Sequence, residues 1–129
     1  MTPEEPYQVV LIDDCKVMQH LLPELVERAG GKVIAQYDCP TRAFEALREV
    51  PTGSRLIYLI DTNMPGMDGP DLAKRLHDTG ARGIVGMSAS RSNQQLWENI
   101  GVTRFYDKEG IPKLRDCLEN ALRDYSTKL

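Results

Sequence analysis

Residues 55–69 read Arg55-Leu-Ile-Tyr-Leu-Ile-Asp-Thr-Asn-Met-Pro-Gly-Met-Asp-Gly69. The opening run is apolar without a break, the pattern of a strand covered on both faces. It ends on a carboxylate, Asp61. Pro65, Gly66 and Gly69 then mark a turn, and Leu72, Ala73 and Leu76 carry the apolar stripe of a helix. A strand buried on both faces needs parallel neighbours reached by helical crossovers.

The same strand-then-helix unit recurs on either side. Residues 7–12 form an apolar run that stops at Asp13-Asp14. Across residues 15–29, Val17, Met18, Leu21, Leu22, Leu25, Val26 and Ala29 make one helical face, closed by Gly30-Gly31. Pro23 lies inside that helix, where it costs roughly 3 kcal/mol unless the helix kinks or frays. Residues 32–37 read as a second strand, and Pro40 opens a helix carrying Ala43, Phe44, Ala46, Leu47 and Val50 that ends at Pro51. Further on come a strand over 83–87 with Ser88, a helix over about 91–100 closed by Gly101, a strand over 103–107 and a helix over 111–125. Five alternating units predict a doubly wound α/β domain with helices on both faces of a five-stranded parallel sheet, in the order 2-1-3-4-5.

Composition bounds the function. The chain has 129 residues, 41% of them apolar and 27% charged, which fits one globular domain over residues 1–129. A net charge of -3 with no Lys/Arg run argues against direct nucleic-acid binding. The longest apolar runs fall far short of the roughly 20 residues a membrane helix needs, and the N-terminus lacks a basic, apolar leader. Cys15, Cys39 and Cys117 are odd in number and without C-x-x-C spacing, so neither a disulfide framework nor a zinc site follows, and a reducing cytoplasm is the expected setting.

In the predicted strand order, strands one, three, four and five are neighbours, and their carboxyl ends bring Asp13, Asp14, Asp61, Ser88 and Lys108 to one crevice. Carboxylates about 4 Å apart repel by roughly 1 to 4 kcal/mol per pair, so such a cluster calls for a cation, and oxygen ligands in an open crevice favour Mg²⁺. Asp61 then suits a nucleophile in phosphoryl transfer, Lys108 an electrostatic counterpart, and Ser88 a hydroxyl that turns toward a phosphoryl oxygen. Taken singly, each residue has a plainer reading: Asp13-Asp14 as a helix cap, Lys108 as a solvated lysine, Ser88 as a turn residue. His20 and His77 carry no assignment. Trp97 and Tyr106 fit either a partner-binding face or the core.

Leu11-Ile-Asp-Asp14, Asp61-Thr-Asn-Met-Pro-Gly-Met-Asp-Gly69, Met87-Ser-Ala89 and Tyr106-Asp-Lys108 together resemble the signatures of response-regulator receiver domains, over nearly the whole chain. The resemblance implies a flavodoxin-like fold and a two-component switch. Asp61 would be the phospho-acceptor, and Mg²⁺ would be held by Asp13, Asp14, Asp61 and the backbone carbonyl of Asn63. Ser88 would be the switch hydroxyl, Lys108 the phosphate-binding lysine, and Phe105 the aromatic switch residue three positions before it. Glu109 stands where the family usually has proline. The implied partners are a sensor histidine kinase or histidine phosphotransfer protein and an output partner on the face formed by helix four, strand five and helix five; a homodimer formed on phosphorylation stays open, as does a place within a longer regulator. Such a domain turns over no separate substrate.

Three rival readings compete. An aspartate-nucleophile phosphatase needs a second acid two residues on, where this chain has Asn63. A flavin-binding domain needs a Gly- and Ser/Thr-rich loop after strand one, where this chain has Asp-Asp-Cys-Lys. A pseudo-receiver that binds partners without phosphorylation would lack a site residue.

Overall fold

A computed structural model describes residues 7–48 and 56–108. The elements run β1 (Tyr7–Ile12), α1 (Lys16–Arg28), β2 (Gly31–Tyr37), α2 (Pro40–Leu47), β3 (Leu56–Asp61), α3 (Gly69–Asp78), β4 (Ile84–Ser88), a 3₁₀ turn (Arg91–Asn93), α4 (Gln94–Glu98) and β5 (Phe105–Asp107). All five strands are parallel, in the order β2-β1-β3-β4-β5. The helix expected over 111–125, Cys117 and the Lys108-Glu109 junction lie outside the described residues.

The period-two alternation of the strands divides the core. Val9 and Leu11 of β1, Ile57 and Leu59 of β3, Val85 and Met87 of β4 and Tyr106 of β5 share a face with Met18, Leu22 and Val26 of α1. Val10, Ile12, Tyr58 and Ile60 point to the other face, against Ala43 and Leu47 of α2, Leu72 and Leu76 of α3 and Trp97 of α4. All six residues of β3 are buried, as a central parallel strand requires. Each fully buried Leu or Ile contributes on the order of 1.5–3 kcal/mol, so the sheet is a rigid base for whatever its carboxyl edge carries.

Three local outcomes differ from the sequence expectation. The fourth helix is divided into the 3₁₀ turn and a five-residue α-helix. Strand five begins at Phe105, although the Arg104 carbonyl still accepts from the Gly86 amide at 3.0 Å. Helix α1 continues through Pro23. Pro23 has no amide to give the Gln19 carbonyl one turn earlier, and the side chain of Gln36 on β2 donates to that carbonyl instead, at 2.7 Å. The substitute bond recovers part of the proline's cost.

Trp97 and Tyr106 are both fully buried, which removes them from any partner face. Trp97 fits because Gly86 lies beneath its ring: a Cβ there would come within 2.3 Å of the indole. A glycine inside a strand commonly marks such a close approach. Replacing Gly86 by alanine is expected to lower the urea midpoint by the equivalent of roughly 1–3 kcal/mol and to shift the emission of the sole tryptophan to the red; an unchanged midpoint and spectrum would contradict this packing.

Candidate functional site

The site is assembled by three ladder bonds at the carboxyl ends of the strands. The Asp13 amide donates to the Tyr37 carbonyl at 3.1 Å, the Thr62 amide to the Met87 carbonyl at 3.0 Å, and the Lys108 amide to the Ser88 carbonyl at 2.9 Å. Each bond carries the sheet one residue past a strand's end and aligns the side chains there. Asp13 is further fixed: its Oδ1 accepts from the Cys15 amide at 2.8 Å, and its carbonyl accepts from the Gln19 side chain at 3.0 Å. Asp13 and Asp61 are both buried.

The Lys108 ammonium reaches both acids, 2.8 Å from Asp13 Oδ2 and 2.8 Å from Asp61 Oδ1. Asp14, half-buried, completes a cluster in which one carboxylate oxygen from each of Asp13, Asp14 and Asp61 lies within 4.8 Å of the others. Among the described residues, Lys108 pairs with two of these three acids. Burial and the neighbouring Asp13 charge outweigh the contact with Lys108 and push the Asp61 carboxyl up to about 6. Burial works to lower the Lys108 pKa, but its bonds to Asp13 and Asp61 outweigh that and raise it, so Lys108 is charged across the physiological range. This donor set of three clustered carboxylates, short of positive charge, fits a hard divalent cation such as Mg²⁺.

The other expected site residues are arranged differently. Ser88 is buried at the end of β4, and its hydroxyl accepts from the Ser90 amide at 3.0 Å and from Asn93 Nδ2 at 2.8 Å, on the α4 side. Asn63 is exposed in the loop after β3. Phe105 is half-buried and packs against the core that contains Trp97.

Sequence reading missed Thr62 and Asn93. The Thr62 hydroxyl donates to the Met87 carbonyl at 2.7 Å and accepts from the Trp97 indole at 2.8 Å, so α4 is tied directly behind Asp61. Gly69 opens α3 so close to β3 that a Cβ would lie 1.9 Å from the Asp61 carbonyl oxygen. A threonine following a strand-end acid was the available signal for Thr62; Asn93 gave none beyond its place at a helix start.

A raised Asp61 pKa fixes a sign for stability. Between about pH 4 and pH 6 the folded protein keeps a proton that the unfolded chain releases, so stability falls as pH rises through that window. Asp61→Asn lacks this loss. It is expected to be more thermostable than the wild type at pH 7.5, by on the order of 2 kcal/mol, with the gap narrowing toward pH 4; a gap independent of pH in thermal melts would contradict the assignment.

Comparison with known proteins agrees with this fold. The family described as the response regulator receiver domain matches residues 9–119. A protein-glutamate methylesterase/protein-glutamine glutaminase of Hahella chejuensis is 31% identical over 84 residues, which are 65% of this chain and 23% of that protein, so the chain spans about a quarter of its length. The CheY-like receiver domain protein of Methanospirillum hungatei superposes with a TM-score of 0.75 at 16% identity, covering 96% of this chain and 99% of that one. Full-length FixJ of B. japonicum gives a TM-score of 0.78 at 25% identity, covering 95% of this chain and 61% of that one. With fold, strand order and acidic pocket in agreement, the chain belongs to the response regulator receiver domain family of two-component signalling.

Proposed function

We propose that this chain is a phosphorylation-operated switch in which Asp61 accepts a phosphoryl group from a phosphohistidine. The observation that carries this reading is the Asp61 carboxylate at the end of β3, with the Lys108 ammonium at 2.8 Å and two further carboxylates beside it. Asp61, with a pKa near 6, is mostly ionised at neutral pH and so is a competent nucleophile. Its oxygen forms a bond to phosphorus as the histidine N–P bond breaks, and the electron pair leaves on the imidazole. Lys108 follows the negative charge from the Asp61 carboxylate to the phosphoryl oxygens.

Asp13, Asp14, Asp61 and the Asn63 carbonyl would hold Mg²⁺, which supplies charge neutralisation for the incoming phosphoryl group. Ser88 turns toward the phosphoryl group, and Phe105 responds at the start of β5. The donor is a sensor histidine kinase or a histidine phosphotransfer protein, and the output partner reads the face of α4, β5 and the segment beyond. Leu96 on α4, 47% exposed, gives that face an apolar contact. The setting is the cytoplasm, and no helix among the described residues is long and apolar enough to cross a membrane. No separate substrate is turned over. A phosphorylation-independent binding module would have no need of the complete acid and lysine set.

Incubation with Mg²⁺ and acetyl phosphate, followed by intact mass, is expected to add one phosphoryl group, which EDTA and Asp61→Asn each abolish. Uptake that survives Asp61→Asn would contradict the assignment, and rapid multiple turnover would point to a phosphatase.

A further inference from the structure

We infer that Asn93 is a positioning residue for the switch: it holds the Ser88 hydroxyl turned toward α4, and its release is the step by which phosphorylation loosens the 3₁₀ turn Arg91–Asn93. The inference rests on the phospho-acceptor reading of Asp61.

A serine hydroxyl has two acceptor lone pairs and one hydrogen to donate. Both acceptor positions of Ser88 are filled from one side, by the Ser90 amide at 3.0 Å and by Asn93 Nδ2 at 2.8 Å. Turning this hydroxyl toward a phosphoryl group on Asp61 leaves both donors without it. Asn93 is half-buried, so water replaces the lost partner and the cost stays small. That is the energetic requirement of a switch whose two states lie only a few kcal/mol apart.

Trp97, four residues along and inside α4, behaves oppositely. It is fully buried, its ring lies against Gly69 and Gly86, and its indole is bonded to Thr62, whose amide and hydroxyl both bond the Met87 carbonyl. The start of α4 thus has one bond at a wet rim and one anchor in the core. When Ser88 turns, the rim bond opens and the anchor holds, so the change is confined to the 3₁₀ turn, whose hydrogen bonds are intrinsically poorer than those of an α-helix. Asn93 therefore stabilises the unphosphorylated state.

The test titrates the full chain, in Mg²⁺, with beryllofluoride as the phosphoryl mimic, followed by Trp97 fluorescence and by fluorine NMR of the bound ligand. Asn93→Ala and the near-isosteric Asn93→Leu are expected to bind about three- to tenfold more tightly than the wild type. In a Ser88→Ala background the same substitutions are expected to change affinity less than about twofold, because the bond they remove is already gone. Unchanged or weaker binding in the wild-type background, or an equal effect in both, overturns the inference and leaves the phospho-acceptor reading standing. A wild-type protein that takes up no beryllofluoride overturns that reading and the latch with it.

Discussion

One ammonium group shared between two buried carboxylates, with a third alongside, is the constraint on which the site depends. Lys108 reaches Asp13 and Asp61 at equal distance and fully neutralises neither. Removing a carboxylate from water is costly unless its charge is matched, and the cost appears here as an Asp61 carboxyl that holds its proton to about pH 6. The parallel sheet makes the arrangement possible. Its central strand β3 is buried on both faces, so the polar residue at its end has one open direction, the carboxyl edge, and the ladder bonds running past β1, β3 and β5 fix the acids and the lysine in register. The fold is stable because of its core, and the charge imbalance it supports at the edge is what an incoming cation and phosphoryl group relieve.

The second structural theme is the attachment of α4. The helix has five residues, too few to be stable from its own hydrogen bonds. It is held by an indole inserted where two glycines leave room and bonded to Thr62 just past β3, and by the bond from Asn93, immediately before the helix, to Ser88 at the end of β4. The same short element therefore adjoins both Thr62, next to the acceptor, and Ser88, the switch hydroxyl. A longer helix with an extensive apolar face would resist local change more strongly.

Much of this was legible in the sequence, for identifiable reasons. The buried runs at 7–12 and 56–60 follow a strand pattern, and four acidic or basic residues at strand ends converge once the strand order is fixed. Less legible was whatever depended on a long-range partner. Nothing adjacent to Pro23 signals that Gln36 on another strand will bond the carbonyl the proline leaves open. Trp97 reads equally well as surface or core on a helix this short, and the deciding residue, Gly86, lies on a neighbouring strand. Ser88 was legible as a site residue, but the direction of its hydroxyl was not, because that direction is set by Asn93.

The most direct test of the charge-deficit account is calorimetric titration of Mg²⁺ into the protein between pH 5 and pH 8. The account predicts binding at pH 8 that weakens below about pH 6, with protons released on binding in that lower range as Asp61 ionises, and with both effects diminished in Asp61→Asn. Mg²⁺ binding that is absent at pH 8, or that is independent of pH and unaltered by Asp61→Asn, would contradict it.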